Sequence, residues 1–291
     1  MRKPLCWLAG LAVAVLGVVA LPGTAHAAAL GEITALTAAG GAYTAEAGTA
    51  KLRITFQRAD VFRVELAPDG VFTDPANTGP GAKIVVKTDY PPVPVGHREL
   101  ADRYEISSGA LTVRLGKNPA LLSVVRADGS AVWAEQAPLA WDAAGTRQTL
   151  ATAAKEQFFG GGMQNGRLNH TGTTVTIAAN HDWDDDGYPN AVPYYVSTAG
   201  YGVLRDTFAP GAYTFARPVL ATHREQRFDA FYFVAPGPLD LKTPLDRYTE
   251  LTGRPLMPPI YGLEMGDADC YNHSSPTYTG GPGAPTTGRA R

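Results

Sequence analysis

The chain has almost no cysteine. Of 291 residues only Cys6 and Cys270 are cysteines, and Cys6 lies in a leader that is expected to be removed. One remaining thiol excludes an internal disulfide framework, so stability has to come from an apolar core. Excess charge of one sign is also missing: Lys and Arg total 25, Asp and Glu 27. A mildly acidic chain lacks the basic footprint of a nucleic-acid binder, and no such partner is expected. His97, His170, His181, His223 and His273 show no H-x-x-x-H spacing, so no zinc site and no other cofactor is expected. No apolar run reaches the ~20 residues of a membrane span. The longest, Leu8 to Leu21, follows Arg2 and Lys3 and precedes the small-x-small triplet Ala25-His26-Ala27. That order is a secretory signal. Residues 1–27 are therefore assigned as a signal peptide, the mature chain is expected to begin at Ala28, and the protein is expected to be secreted and extracellular, without a membrane partner.

What is abundant is short alternation. "KLRITFQ" sets Leu52, Ile54 and Phe56 on one face, and "VFRVELAPDG" repeats the pattern and ends in a Pro-Asp-Gly turn. "GALTVRLGKNP" aligns Leu111, Val113 and Leu115. "LLSVVRADGSAVW" reads as two strands around an Asp128-Gly129 turn, and "VPYYVSTAGYGVLRDT" as a second hairpin. "QRFDAFYFVA" puts Phe228, Ala230, Tyr232 and Val234 on one face. Runs of this length and spacing, from residue 28 to 236, predict a mainly β fold, a sandwich rather than alternating βα units.

One helix is predicted, within a linker at 237–257. Thr243 is the expected cap, Pro244 suits the first turn, Leu241, Leu245, Tyr248 and Leu251 recur at helical spacing, and Gly253 ends it. An apolar strand pattern follows within 258–272, and 273–291 is rich in Gly, Pro, Ser and Thr, a composition that predicts disorder.

Four segments, taken in order, carry a resemblance: "FFGGGMQNGRL", "VPYYVSTAGYGVLRDT", "FDAFYFVAPGPLDLKTPLDRYTELTGRPLMPP" and "IYGLEMGDADCYN". Together they resemble the N-terminal half of glycoside hydrolase family 31 over residues 50 to 272, with "YTELTGRPLMPP" the most specific piece. The resemblance implies a galactose-mutarotase-like β-sandwich, then a linker helix and the first strand of a (β/α)8 barrel at 258–272. It implies an α-glycosidase acting on oligo- or polysaccharides. The family's two catalytic aspartates, about 5–5.5 Å apart in retaining chemistry, belong to barrel segments with no counterpart here. No catalytic residue is therefore assigned, and the chain alone is expected to be inactive. Its helix and its 260–265 strand are expected to carry apolar faces meant for the barrel, so that cutting after Pro236 would leave the sandwich intact.

The densest chemistry is "NHDWDDDGYPN", residues 180–190. Asp182, Asp184, Asp186 and Gly187 open like an EF-hand calcium loop, but the twelfth position, which should be Glu, is Pro193. In the resembled family this loop reaches the mouth of the barrel and an aspartate there bonds sugar hydroxyls. Carboxylates that accept from vicinal hydroxyls and an aromatic face that stacks on a pyranose are both present, in Asp182, Trp183, Asp184, Asp185, Asp186 and Tyr188. Sugar contact is the preferred reading, ahead of a solvated turn and of calcium. Asp267 and Asp269, after the expected barrel strand, are further substrate-binding candidates. Gly160 to Gly162 with Gln164, Asn165, Arg167 and His170 form another, for which a plain turn is the favoured reading. A stand-alone carbohydrate-binding sandwich and, less favoured, a sugar mutarotase are the alternative functions. The mutarotase would need a His/Glu pair, whereas His223 and Glu225, close together in one strand pattern, are expected to point to opposite faces.

Overall fold

The computed structural model describes residues 27–257, apart from 80, 82, 165 and 179–189. In chain order the elements are β1 (Ala28–Ala29), β2 (Ala35–Ala39), β3 (Ala42–Ala47), β4 (Ala50–Arg58), β5 (Val61–Ala67), the one-turn helix α1 (Pro75–Thr78), β6 (Gly96–Glu99), β7 (Arg103–Ser107), β8 (Leu111–Gly116), β9 (Leu122–Arg126), β10 (Ala131–Asp142), β11 (Gly145–Leu150), β12 (Phe158–Met163), β13 (Thr174–Ile177), β14 (Asn190–Ser197), β15 (Tyr201–Arg205), β16 (Gly211–Thr214), β17 (Val219–His223), β18 (Phe228–Val234) and α2 (Lys242–Thr252).

These strands form two antiparallel sheets. One runs β13-β16-β17-β11-β10-β9-β8-β7-β6, with β1 added to β10; the other runs β12-β14-β15-β18-β5-β4-β3-β2. The sandwich predicted from alternation is present, and its inward residues are the expected ones: Leu52, Ile54, Leu111, Val113 and Leu115 are buried in one core between the sheets. The Asp128-Gly129 turn joins β9 to β10, with Gly129 at φ 83°. Aromatic stacking couples the layers. Tyr232 of β18 lies 5.0 Å from Phe62 of β5 and 4.8 Å from Trp133 of β10 across the core.

The linker helix departs from expectation. Its apolar residues do not wait for a barrel; they cover the outer face of the eight-stranded sheet. Leu251 is buried there with Val61, Tyr194, Val196, Leu204, Phe231 and Phe233, and Tyr248 stacks on Tyr194 at 4.1 Å. Val85, Ile84 and Tyr90 close the same cluster, and the amides of Val86 and Lys87 donate to the Leu251 carbonyl, which would otherwise lack a partner at the helix end. Of the expected seam only Leu245 stays half exposed, at 50%. The cap is shifted as well. Asp240, not Thr243, holds the N-terminus, accepting from Thr243 N at 3.0 Å and Thr243 Oγ1 at 2.7 Å. A shorter, ionised acceptor is the stronger partner for free amides. Gly253, at φ 98°, ends the helix as expected.

Cutting after Pro236 therefore strips one face of the sheet. The shortened chain should aggregate and unfold at lower denaturant than the full one, opposite to the outcome expected from the pattern alone. Within the full chain, Leu251→Ala should cost about 2–5 kcal/mol in urea unfolding. A shortened chain that is monomeric with an unchanged midpoint would refute this packing.

Candidate functional site

Asp182, Trp183, Asp184, Asp185, Asp186, Tyr188, Asn165, Asp267, Asp269 and Cys270 lie outside the described residues, and so does the expected barrel strand at 258–272. The described residues do define where the acidic stretch is anchored. It follows β13, the edge strand of the ten-stranded sheet, and precedes β14, which pairs with β12, the edge strand of the other sheet. Both anchors are on one lateral edge of the sandwich. Met163, the last residue of β12, is in register with Asn190, the first of β14, and Asn190 Nδ2 donates to Met163 Sδ at 3.3 Å. Around this corner Met163 and Leu168 are 53% and 80% exposed, and Arg167 is exposed.

The glycine run explains how two sheet edges come so close. Pairing of β12 with β14 shifts register between Gly160 and Gly162: Gly160 faces Tyr195 and Gly162 faces Ala191, so the extra residues of the bulge lie on β14, at Val192, Pro193 and Tyr194, opposite Gly161. Gly160, Gly161 and Gly162 have φ of 116°, 81° and 87°. A Cβ on Gly162 would stand 2.1 Å from the Asn190 carbonyl oxygen, and one on Gly161 would stand 2.7 Å from Val175 Cγ1 of β13. Nearby donors are spent locally. His170, buried against Phe215, bonds the Gly160 carbonyl through Nε2 at 3.0 Å, and burial lowers its pKa. Gln164 Nε2 donates to the Gly161 carbonyl at 2.7 Å. Gly160 to Gly162 are not a turn but part of β12, and the side chains of Gln164 and His170 are spent on its carbonyls; of the described side chains in this group Arg167 is the one that is exposed.

A second cluster was not anticipated. Asp74, Asp206 and Asp229 bring three carboxylates close enough to share a cation, and Arg63 supplies it. Arg63 Nε and Nη2 donate to the two Asp229 oxygens at 2.8 and 2.7 Å, and Nη2 also reaches Asp206 Oδ2 and Asp74 Oδ2, each at 3.1 Å. Arg227 Nη1 adds a bond to Asp229 at 2.9 Å, and Asn77 Nδ2 bonds Asp206 at 2.8 Å. The guanidinium fills the place a metal would take. Burial pushes Asp206 up to about 7, with Asp229 adding repulsion, and pushes Asp229 to about 6 against the pull of Arg63. Both side chains are inaccessible, and carboxylates clamped by one guanidinium cannot flank a glycosidic bond. This cluster is structural. It escaped the sequence because Arg63, Asp74, Asp206 and Asp229 come from four separate segments with no motif spacing.

His223 and Glu225 also differ from expectation. Both turn toward Arg205, whose Nη2 lies 3.8 Å from Glu225 Oε1 and whose charge helps burial to push His223 down to about 3. A spacing of two residues favours one face, not two. His223 is nonetheless sealed, with Nε2 on Tyr213 OH and Nδ1 on the Ala209 carbonyl, both at 2.9 Å. It is no accessible acid–base partner.

The two sheets, the mixed edge and the order of motifs define a class. The model of the glycosyl hydrolase 31 N-terminal galactose mutarotase-like domain matches residues 51–213, more than half of the chain. This chain belongs to that family. It is 25% identical over 244 residues to the isomaltosyltransferase of Sporosarcina globispora, a match covering 74% of this chain and 20% of that protein. It is 24% identical over 228 residues to alpha-glucosidase 2 of Bacillus thermoamyloliquefaciens, covering 74% and 28%. Its fold matches the family 31 dextranase of Flavobacterium johnsoniae bound to isomaltotriose, at TM-score 0.71 and 21% identity over 80% of this chain and 29% of that one. It also matches the cycloalternan-forming enzyme of Listeria monocytogenes with its pentasaccharide substrate, at TM-score 0.67 and 19% identity over 79% and 23%. The chain thus spans between a fifth and a third of these proteins' lengths.

The raised carboxyls have a pH consequence. Asp206 keeps its proton in the folded state up to about pH 7 and loses it near 4 when unfolded. Between those values the folded state binds more protons, so its contribution to stability falls as pH rises. His223, depressed to about 3, acts in the opposite sense below about pH 6.5, so the carboxyl is isolated by comparison. Relative to wild type, Asp206→Asn should gain stability from pH 4 to pH 8, by at most about 1.4 kcal/mol per pH unit. Urea midpoints of the two proteins that keep a constant difference over this range would refute it.

Proposed function

We propose that this chain is the sandwich part of a secreted glycoside hydrolase acting on α-glycosidic bonds of glucans, and that it contributes sugar contacts rather than chemistry. The observation that carries this reading is the position of the acidic stretch: 180–188 is anchored at one exposed edge of a family 31 sandwich, between β13 and β14. Family membership supports the hydrolase class. Relatives named for isomaltosyl transfer and glucoside hydrolysis, and a dextranase that binds isomaltotriose, support an α-glucan ligand.

In this reading Asp182, Asp184 and Asp186 accept hydrogen bonds from sugar hydroxyls and Trp183 stacks on the apolar face of a pyranose. Asp267 and Asp269 add contacts from the stretch that follows the linker helix. The acid pair that retaining hydrolysis needs is assigned to a barrel beyond these segments. The charge clusters within the sandwich are consistent with that division, since Asp206, Asp229 and Glu135 are all buried. The leader of residues 1–27 directs export, and the mature protein begins at Ala28.

The test uses the full chain. Isomaltotriose should bind weakly, with a dissociation constant in the millimolar range, and the Asp182→Ala/Asp184→Ala/Asp186→Ala triple variant should lose at least tenfold in affinity. Aryl α-glucosides should show no turnover above a control purified from an inactive host. Equal binding by the triple variant would end the sugar-contact assignment, and turnover that copurifies with the chain would end the separation of binding from chemistry.

A further inference from the structure

The outer face of the ten-stranded sheet carries a polar depression with a built floor. Strand register aligns Arg147 of β11 with Thr222 of β17, Thr222 with Ala212 of β16, and Ala212 with Thr176 of β13. A cross-strand row of this kind points to one side of a sheet. The small Ala212 at its centre and Gly211 beside it leave a hollow of about 540 Å³, closed at its rim by Arg224. No Asp or Glu is among the described residues that line it.

Its charge is one-sided. Arg147 is oriented by Asp142, whose Oδ2 accepts from Nη1 at 2.8 Å from outside the lining. Arg224, exposed, follows β17 on the strand next to Arg147. Beneath the floor, Arg205 is 1% exposed and donates through Nη2 to Thr146 Oγ1, a lining residue, at 3.4 Å; its Nη1 is buried with no hydrogen-bond partner. Glu225 answers part of that charge at 3.8 Å. His223, the only imidazole in the lining, has both nitrogens bonded to protein partners and competes for no ligand. The lining therefore offers hydroxyls and guanidinium groups, and a buried guanidinium adds to the positive field from below.

We propose that this hollow binds an oxyanion, a carboxylate, sulfate or phosphate group, at its Arg147 and Arg224 end, with β16 between that end and β13, the strand that leads into the acidic stretch. Two arginines on neighbouring strands, at the β11–β17 end of a threonine-bearing floor, suit such a group, because guanidinium donors match paired oxygens. Among the described lining residues there is no Phe, Tyr or Trp face on which a neutral sugar could stack. The group can be a free inorganic anion or the acid group of a charged sugar.

Amide NMR shifts of Thr176, Ala212 and Thr222 in the full chain, followed at constant ionic strength with chloride as the balancing anion, test this. Sulfate should shift these amides saturably. Sodium D-glucuronate should do so too if the source is an acidic sugar, and should not if the site takes only a small free anion; methyl α-glucoside should do nothing. Arg224→Ala should weaken sulfate at least fivefold, and Ala212→Leu, which fills the floor without changing charge, should abolish the saturable shift. Thermal unfolding of both variants checks that they fold, and the exposure of Arg224 predicts an unchanged midpoint for the first. Shifts that stay linear with sulfate, unchanged affinity in folded Arg224→Ala, or methyl α-glucoside saturating the same amides would each overturn the proposal. Those failures would leave the α-glucan reading of the other edge untouched.

Discussion

Strand β18 has no solvent face. All seven of its residues are buried, with Phe228, Ala230, Tyr232 and Val234 in the core between the sheets and Phe231 and Phe233 under helix α2. An antiparallel sheet usually keeps one wet face, and this one cannot, because its second face is as apolar as its first. The strand therefore needs a third layer, and α2 with the 84–90 segment provides it. The molecule is a sandwich with a cover on one side. Pairing β18 between β5 and β15 places this doubly buried strand in the middle of its sheet, where any loss of the cover reaches both neighbours.

The same constraint explains the buried charges. Asp229 sits in the otherwise apolar β18, fully enclosed, and an isolated carboxylate there would be costly. Arg63, on the adjacent strand β5 of the same sheet, and Arg227 meet it with short bonds. Satisfaction is incomplete, since Asp206 Oδ1 has no partner. Burial pushes both buried aspartates up, and the neighbouring carboxylates add to it, against the pull of Arg63 and, at Asp229, of Arg227. Glu135, likewise buried in the core, is held by Leu122 N and Gln148 Nε2 and pushed up to about 7. Such networks tie distant segments in one register, because removing a single partner leaves a buried charge uncompensated.

Much of this was legible in the sequence, and the gaps have physical causes. Alternation in "KLRITFQ" and "GALTVRLG" exposed the inward faces, because one side of each strand is polar. In "FDAFYFV" the pattern named one face and concealed the other, since a strand buried on both sides does not alternate. That concealment also hid the role of the helix: the spacing of Leu241, Tyr248 and Leu251 reveals an apolar stripe, but periodicity does not say what the stripe covers. The glycine run read as a turn, and it is a stretch of strand β12 opposite a bulge of β14, where the absence of side chains lets two sheet edges meet. The Arg63 cluster and the threonine row had no linear signature at all. Each is assembled by strand register, which joins residues as far apart as Arg147 and Thr222.

Burial and register together decide where this sandwich can meet a ligand. Interior polar groups are committed: His170 and His223 to carbonyls and a tyrosine, Glu135 to an amide and Gln148, Asp229 to two arginines. None of these buried groups is left as an accessible acid or base. α2 covers the outer face of the eight-stranded sheet over β15 and β18. Two open places stand out among the described residues: the corner of Met163, Leu168 and Asn190, from which the acidic stretch departs, and the outer face of the β11-β17-β16-β13 row. One borders four aspartates and a tryptophan; the other is floored by threonines and flanked by arginines. Aspartates in the sequence that leaves the first and arginines beside the second favour the proposed division: hydroxyl recognition at one, anion recognition at the other.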